Sequence, residues 1–583
     1  MRSSRVMRFP RMPSQPIRRA PLLCLLAIVA SLAPSRGARA DDELLLDAMK
    51  QELDRSKKEL SLEHYQRPYF ISYMLEDEEV RRMGAVSGAI NERSTSHRRR
   101  LYVEVRVGMP HLDNTMIDPP DMDLESESSD VYGFRQAPLD DDPDALRTAL
   151  WRLTDAAYKD ALAGLAAKQG KRVFEVDPHE DVDDFAGRDR VEATEPALAL
   201  VVDEDRWLPL LRRETAYLRS FEHLTEGSML LDVRRERRYF VQTDGTRLVT
   251  EDRYWSLYAE ANATAPDGMK LSRTRTFYQR APEQLPSDAA IHDDIAAMAK
   301  ETLALREAPV LSPEAAPALL DPSGTGVFFH EAVGHRLEGE RQRSKASGQT
   351  FTAKLGQQVV PPFISVVDDP TIAEMQGTGL YGHYRFDEEA TPAAKAVLIE
   401  GGVLKGYLMS RTPVPGFLTS NGHGRSDGKR DPIGRMASLM VSASETVPAA
   451  RLQEILLEEV RKQGKPFGLV LEDVTSGETN TSRQSYQAFR ATPGLAYRID
   501  PTSGEKTLVR GVEIVGTPLA AISRILAAGD QVKVMNGYCG AESGYIPVTE
   551  VAPPVVVQSI ELQRLSLPSR RPPLLAPPVL LRN

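Results

Sequence analysis

The sequence predicts an α+β protein of two domains: an N-terminal α/β domain, then a mainly antiparallel β domain that carries a metal-site helix. Three observations predict this. The chain has 583 residues, more than one hydrophobic core organises. Helical and strand periodicities alternate up to residue 308, whereas strands and turns dominate after the Pro- and Ala-rich stretch EAPVLSPEAAPALLDPS (307–323). Within that strand-rich part lies one short apolar helix ending in FFHEAVGHRLEG, residues 328–339. The predicted divisions are a leader at 1–40, domains at 41–308 and 309–566, and a Pro-rich, disordered tail at 567–583.

The leader has three parts. Residues 1–19 carry Arg2, Arg5, Arg8, Arg11, Arg18 and Arg19 and no acid; PLLCLLAIVASLA follows at 21–33; SRGARA ends in Ala38-Arg39-Ala40. A basic segment, a short apolar run and an A-x-A site make a secretory signal peptide, which predicts a periplasmic or secreted bacterial protein. The other reading, an uncleaved anchor, needs about 20 apolar residues. Cys24 lacks the preceding small residues of a lipoprotein site. The leader's eight charges are all arginine, so the rest of the chain has 65 basic and 83 acidic residues, a net charge of −18. That disfavours nucleic acid and anionic membranes as partners, since both attract a positive face. Without Cys24, Cys539 is the only cysteine and no internal disulfide can form. A lone thiol in an oxidising compartment calls for a use.

In chain order, 41–62 repeats apolar positions at helical spacing behind an acidic start. PYFISYMLED, VRRMGAVSGAIN and RRRLYVEVRVG (98–108) read as strands, and the Asp-, Pro- and Ser-rich stretch from His111 to Asp142 as a loop. Helices are predicted at 143–168, 205–222 and 286–306, with strands between them turned at Asp244-Gly245. Beyond the boundary one further helix is predicted around 448–463, and Gly401-Gly402 and Ser503-Gly504 mark hairpin turns.

His330 and His335 raise a question of spacing. In H-E-x-x-H zinc sites the histidines are four apart on one helical face. Positions four apart diverge by roughly 40° around an α-helix, and positions five apart by roughly 140°. A π-bulge, or termination of the helix at Gly334, would bring His335 back beside His330, so a break at Ala332–Gly334 is predicted. The residue types suit hydrolysis: imidazoles bind zinc, and Glu331 is placed to take a proton from the zinc-bound water. A helix with one buried and one surface histidine fits the same six residues. A hydrolytic site needs a third ligand, for which Glu338, Glu340, His383, His423 and Cys539 are candidates. Glu338 reads better as a supporting or capping carboxylate. His383 and His423 lie in Gly-rich loops that also suit solvated histidines, and Cys539 could be a small buried residue. Zinc would protect its thiolate.

From here the chain resembles a known family. HEAVGHRLEG continues through KLGQQV and SVVDDPTI, YGHYRFDEEATPAAKAVLIEGGVLKGYLMSR (381–411), SNGHGRSDGKRDPIGRMASLMV (420–441), GLVLEDVTSGETN, LVRGVEIVGTPLAAISRI and GYCGAESGYIPV. Nearly all of 309–560 is similar to the TldD/PmbA (TldD/TldE) metallopeptidases. The resemblance implies zinc held by His330, His335 and Cys539, with Glu331 as catalytic base. It implies a TldD-type subunit hydrolysing small or unfolded polypeptides inside a chamber closed by a homodimer or by a zinc-less TldE-like partner. The chain departs from the family in its leader, its Pro-rich tail, and His383 and His423. Tyr381, His383 and His423 are candidate donors to the substrate oxyanion. A non-catalytic scaffold subunit and another envelope metal-dependent amidohydrolase are the alternatives; intact His330, Glu331, His335 and Cys539 count against the first.

Overall fold

A computed structural model describes residues 36–117, 136–174, 181–348, 350–483 and 488–565, together with 573 and 575. The expected leader, apart from 36–40, most of the loop between His111 and Asp142, and nearly all of the tail lie outside the described residues. The N-terminal domain runs α1 (Arg36–Glu59), β1 (Pro68–Val86), β2 (Ala89–Met109), β3 (Leu112–Asp113), α2 (Pro143–Phe174), β4 (Glu192–Thr194), α3 (Glu204–Arg219), β5 (Leu224–Gln242), β6 (Arg247–Thr264), β7 (Lys270–Gln279) and α4 (Asp288–Glu307). Its sheet has the order β3-β2-β1-β5-β6-β4, with β7 also on β6. Among the described residues of this sheet only the β4–β6 pairing is parallel.

The three strand signals between 68 and 108 form two long strands. They turn at Ser87-Gly88, where both residues have positive φ (51° and 89°). Opposite charges face each other across this hairpin, Asp77 with Arg99 at 2.6 Å and Glu78 with Arg98 at 2.6 Å, and the charged residues between the predicted strands are strand as well.

Side chains alternate along each strand, and one sheet face takes all four helices. Ile71, Tyr73, Leu75, Tyr239 and Val241 pack under α1 and α2. Further along the same face, Met83, Leu231, Val233 and Trp255 pack under α3 and α4. On the opposite face Met74, Tyr102, Phe240 and Leu248 meet Phe386 and Ala390 of the C-terminal domain.

The C-terminal domain contains β8 (Ala315–Leu320), α5 (Pro322–Ala332), α6 (Ala449–Lys462) and a short α7 (Pro518–Ile522). α7 was not among the predicted helices, because five residues show no period. One sheet has six strands, ending in Ser438–Ala443, Gly544–Ala552 and the edge strand Lys533–Ala541. In the other, β8, Val555–Arg564, Val512–Gly516, Phe489–Ile499 and Gly468–Thr479 close a ring, because the last two also pair with each other. α5 lies in the core that these sheets share, with Phe328 and Phe329 fully inside. Among the described residues no helix is long and apolar enough to cross a membrane.

Candidate metal centre

The Asp321 carboxylate caps α5, accepting from Gly324 N at 2.7 Å, and Pro322 occupies the first turn. The helix ends at Val333 (φ −119°, ψ −58°), and a 3₁₀ turn carries Gly334–Arg336. The break thus falls inside Ala332–Gly334, and the two histidine rings come to 4.9 Å between centroids. Gly334 serves a steric need instead of a torsional one: a Cβ there would lie 1.9 Å from Met436 Sδ. Gly326 lets α5 approach the sheet, where a Cβ would meet Met535 Cε at 2.7 Å, and Gly477 leaves room for Glu331 Cγ at 2.8 Å.

Cys539, on the edge strand, completes a cluster with the histidines. Its Sγ lies 3.0 Å from His330 Nε2 and 3.3 Å from His335 Nε2. One donor atom from each residue fits within 4.8 Å of the others, and all three side chains are buried. Each outer ring nitrogen faces a carboxylate: His335 Nδ1 is hydrogen-bonded to Glu338 Oε1 at 2.8 Å, and His330 Nδ1 lies 2.7 Å from Glu550 Oε1. Arg341 Nε donates to Glu338 Oε2 at 2.7 Å, and Arg435 Nη2 donates to Cys539 Sγ at 3.1 Å. Such outer contacts fix the tautomer and the aim of metal-binding imidazoles.

Charge follows this geometry. Burial pushes the Cys539 thiol up, but His335, His330 and Arg435 outweigh it and bring the thiol well below its ordinary range. Burial opposes protonation of His335, yet Cys539 and Glu338 raise it to about 9; His330 is raised in the same way by Cys539 and Glu550. Glu338 is lowered to about 2, because Arg341, His335 and Arg435 overcome its burial. Burial raises Glu331. Its Oε2 is buried without a hydrogen-bond partner, an unusual state for a carboxylate in a folded core. Two imidazole nitrogens, a thiolate and an uncommitted carboxylate fit a zinc ion with one open position.

The cluster lies on a cavity of about 2100 Å³, whose walls include Glu104, Arg106 and Tyr278 of the N-terminal domain and Asn536 and Tyr545 of the C-terminal domain. Other expected residues have different positions. Glu338 supports His335, and the Glu340 carboxylate is held by Ser410 and by Gly434 N at 2.9 Å. Tyr381, His383 and His423 are not among the residues lining the cavity. Tyr381 OH donates to Trp255 O at 2.9 Å, His383 Nδ1 lies 2.8 Å from Pro370 O, and His423 is enclosed by Asn421 Oδ1 at 2.9 Å and Asp368 Oδ1 at 3.3 Å. In this structure these contacts tie the three side chains to neighbouring backbone and carboxylate groups away from the cavity wall. Glu550, Arg341, Arg435 and Gly477 were not read from the sequence. Glu550 sits in an ordinary strand alternation, and Arg435 within SNGHGRSDGKRDPIGRMASLMV carried no sign of its partner.

A two-domain α+β protein with a buried His–His–Cys cluster and an adjacent free carboxylate is the class that fold and site define. Residues 313–564 match the model of the PmbA/TldA metallopeptidase C-terminal domain. The C-terminal domain is thus similar to that of the PmbA/TldD family. Metalloprotease MJ0996 of Methanocaldococcus jannaschii is 33% identical over 233 residues, 40% of this chain and 47% of that protein. A metalloprotease TldD homolog of Haemophilus influenzae is 30% identical over 283 residues, 46% of this chain and 54% of that protein. The chain thus spans about half the length of these relatives. The crystal structure of TldE from Thermococcus kodakarensis shares the fold, with a TM-score of 0.56 at 13% identity over 88% of this chain and all of that one (100%).

Proposed function

We propose that this protein is a zinc-dependent peptidase that hydrolyses peptide bonds of small or unfolded polypeptides. The observation that carries the reading is the convergence of His330, His335 and Cys539 within 4.8 Å beside Glu331, whose buried Oε2 has no partner. Its relatives' names, which call them metalloproteases, support it. Zinc in such a site acidifies a water and polarises a peptide carbonyl. His330, His335 and Cys539 would hold the ion, while Glu550 and Glu338 keep both imidazoles aimed inward. Glu331, made more basic by burial, takes the proton of the attacking water and returns it to the leaving amine. The cavity of about 2100 Å³ beside the cluster offers room for a stretch of polypeptide. The reading includes a second subunit, another copy or a TldE-like chain, supported by the likeness to TldE and tested by particle mass in solution.

Purified protein is expected to cut a labelled unfolded peptide. Glu331→Gln should keep its zinc and lose about 10²–10⁴-fold in kcat, whereas Cys539→Ala should lose zinc. Undiminished hydrolysis by Glu331→Gln would overturn the mechanism.

A further inference from the structure

Arg435 is among the largest fully buried side chains in the protein. Its loop leaves it little freedom. Arg435 N donates to His423 O at 2.9 Å, and a Cβ on Gly434 would stand 2.1 Å from Leu408 O. Both Nη groups of the guanidinium are engaged, while Nε makes no hydrogen bond: Nη1 donates to Ser543 Oγ at 2.8 Å, and Nη2 donates to Cys539 O at 3.0 Å and to Cys539 Sγ at 3.1 Å. Nε lies 3.3 Å from Glu338 Oε1, the same oxygen that receives His335 Nδ1. With His335 Nε2 3.3 Å from Cys539 Sγ, the ring Arg435–Cys539–His335–Glu338 closes. His330 reaches the same sulfur, at 3.0 Å, but its outer nitrogen faces Glu550 and not Glu338.

We propose that Arg435 is a positioning residue that locks Cys539 and His335 into one donor unit and, through its hydrogen bond to the sulfur, withdraws charge from the thiolate. The inference rests on the zinc reading above. A buried guanidinium is costly unless anions and acceptors surround it. The anions within its contacts are the Cys539 thiolate and Glu338, so its placement is governed by this site. A thiolate gives a metal more charge than a third imidazole does and so blunts its acidity. An N–H···S bond takes part of that charge back, as outer contacts do in other metal sites. The planar fork is needed, because a lysine ammonium cannot reach sulfur, carboxylate and Ser543 together.

The test uses the full chain loaded with cobalt(II), whose thiolate charge-transfer band reports the charge on sulfur, with metal affinity measured by chelator competition. Arg435→Met should move the band to lower energy and weaken metal binding about 10–100-fold. Arg435→Lys should recover little of either. Ser543→Ala, which removes one anchor of the fork and touches neither Cys539 nor Glu338, should shift the band less and in the same direction. An unshifted band with wild-type affinity in folded Arg435→Met overturns the proposal; if that variant does not fold, an unshifted band in Ser543→Ala does so. A wild-type protein with no thiolate band overturns the zinc reading and this inference with it, whereas a wild-type band unchanged in the variants overturns this inference alone.

Discussion

At Gly334 a single hydrogen atom decides whether the two histidines meet. The sulfur of buried Met436 fills the space a side chain would take, 1.9 Å from an ideal Cβ. Gly334→Ala must therefore displace Met436 or push the 3₁₀ turn outward. Overpacking of this kind costs about 1–3 kcal/mol, and outward movement of the turn carries His335 away from Cys539. The expected result is a lower melting temperature together with reduced zinc content. Adding Met436→Ala should restore part of both, since substitutions in contact are not additive. Wild-type stability and zinc in Gly334→Ala alone would show that Met436 simply moves aside. The sequence marked this glycine correctly and for the wrong reason: backbone freedom was expected, and the need is room for a residue about a hundred positions away.

The loop between the strands Ile364–Asp368 and Ala396–Glu400 of the six-stranded sheet shows how buried acids make a domain joint pH-sensitive. Phe386 and Ala390 pack on the N-terminal sheet, and between them lie Asp387 and Glu389. Asp387 Oδ1 accepts from Glu389 N at 3.0 Å and Thr391 N at 2.8 Å, and Glu389 Oε2 accepts from Arg411 N at 2.7 Å. Burial pushes both carboxyls up, helped by Glu388 for Asp387 and by Asp387 for Glu389. The folded protein thus holds protons that the unfolded chain releases near the ordinary carboxylate range of about 4. Stability must then fall as pH rises from there through the raised native values. Glu389→Gln keeps an acceptor for Arg411 N and removes one titration. Its urea unfolding free energy should decline less than the wild type's between about pH 5 and 8; an identical slope would remove Glu389 from the explanation. FDEEATPAA was legible as a motif, but the stacking of its acids against another domain was not. The same limit applied at the metal centre. α5 and its break followed from local spacing, and Glu338 could be read as a support because it is three residues from His335. Glu550 and Arg435 reach their partners only through the fold, as the separation of 104 residues between Arg435 and Cys539 illustrates.

The whole molecule is held together partly by a short segment that belongs to neither sheet. Ala186 N donates to Arg411 O at 2.7 Å, and Arg411 Nε returns a bond to Ala186 O at 3.0 Å. Phe185 is buried between two guanidinium groups, Arg106 from β2 at 3.8 Å and Arg411 from the C-terminal domain at 4.1 Å, with Phe70 of β1 at 4.8 Å. Asp184, fully buried, accepts from Asp113 N at 3.0 Å and Arg343 Nη2 at 3.1 Å and pairs with Lys168. Arg343 is two residues beyond Arg341, which holds Glu338 beside His335. One segment therefore joins the first domain, the second domain and the strip of chain that supports the metal centre. Removing the ring leaves a cavity and two cations without an aromatic face between them, and Phe→Ala changes in cores cost about 3–5 kcal/mol. Because that loss falls on the joint, Phe185→Ala should do more than lower the melting temperature. Calorimetry is expected to show the two domains unfolding in separate steps, and limited proteolysis should cut earlier near residues 307–314. Zinc content should be retained, since Arg343 keeps Asp184, while peptide hydrolysis falls as the cavity walls lose their fixed relation. A single transition at the wild-type temperature would show that the sheet face around Met74, Tyr102 and Phe240 holds the domains together without this clamp.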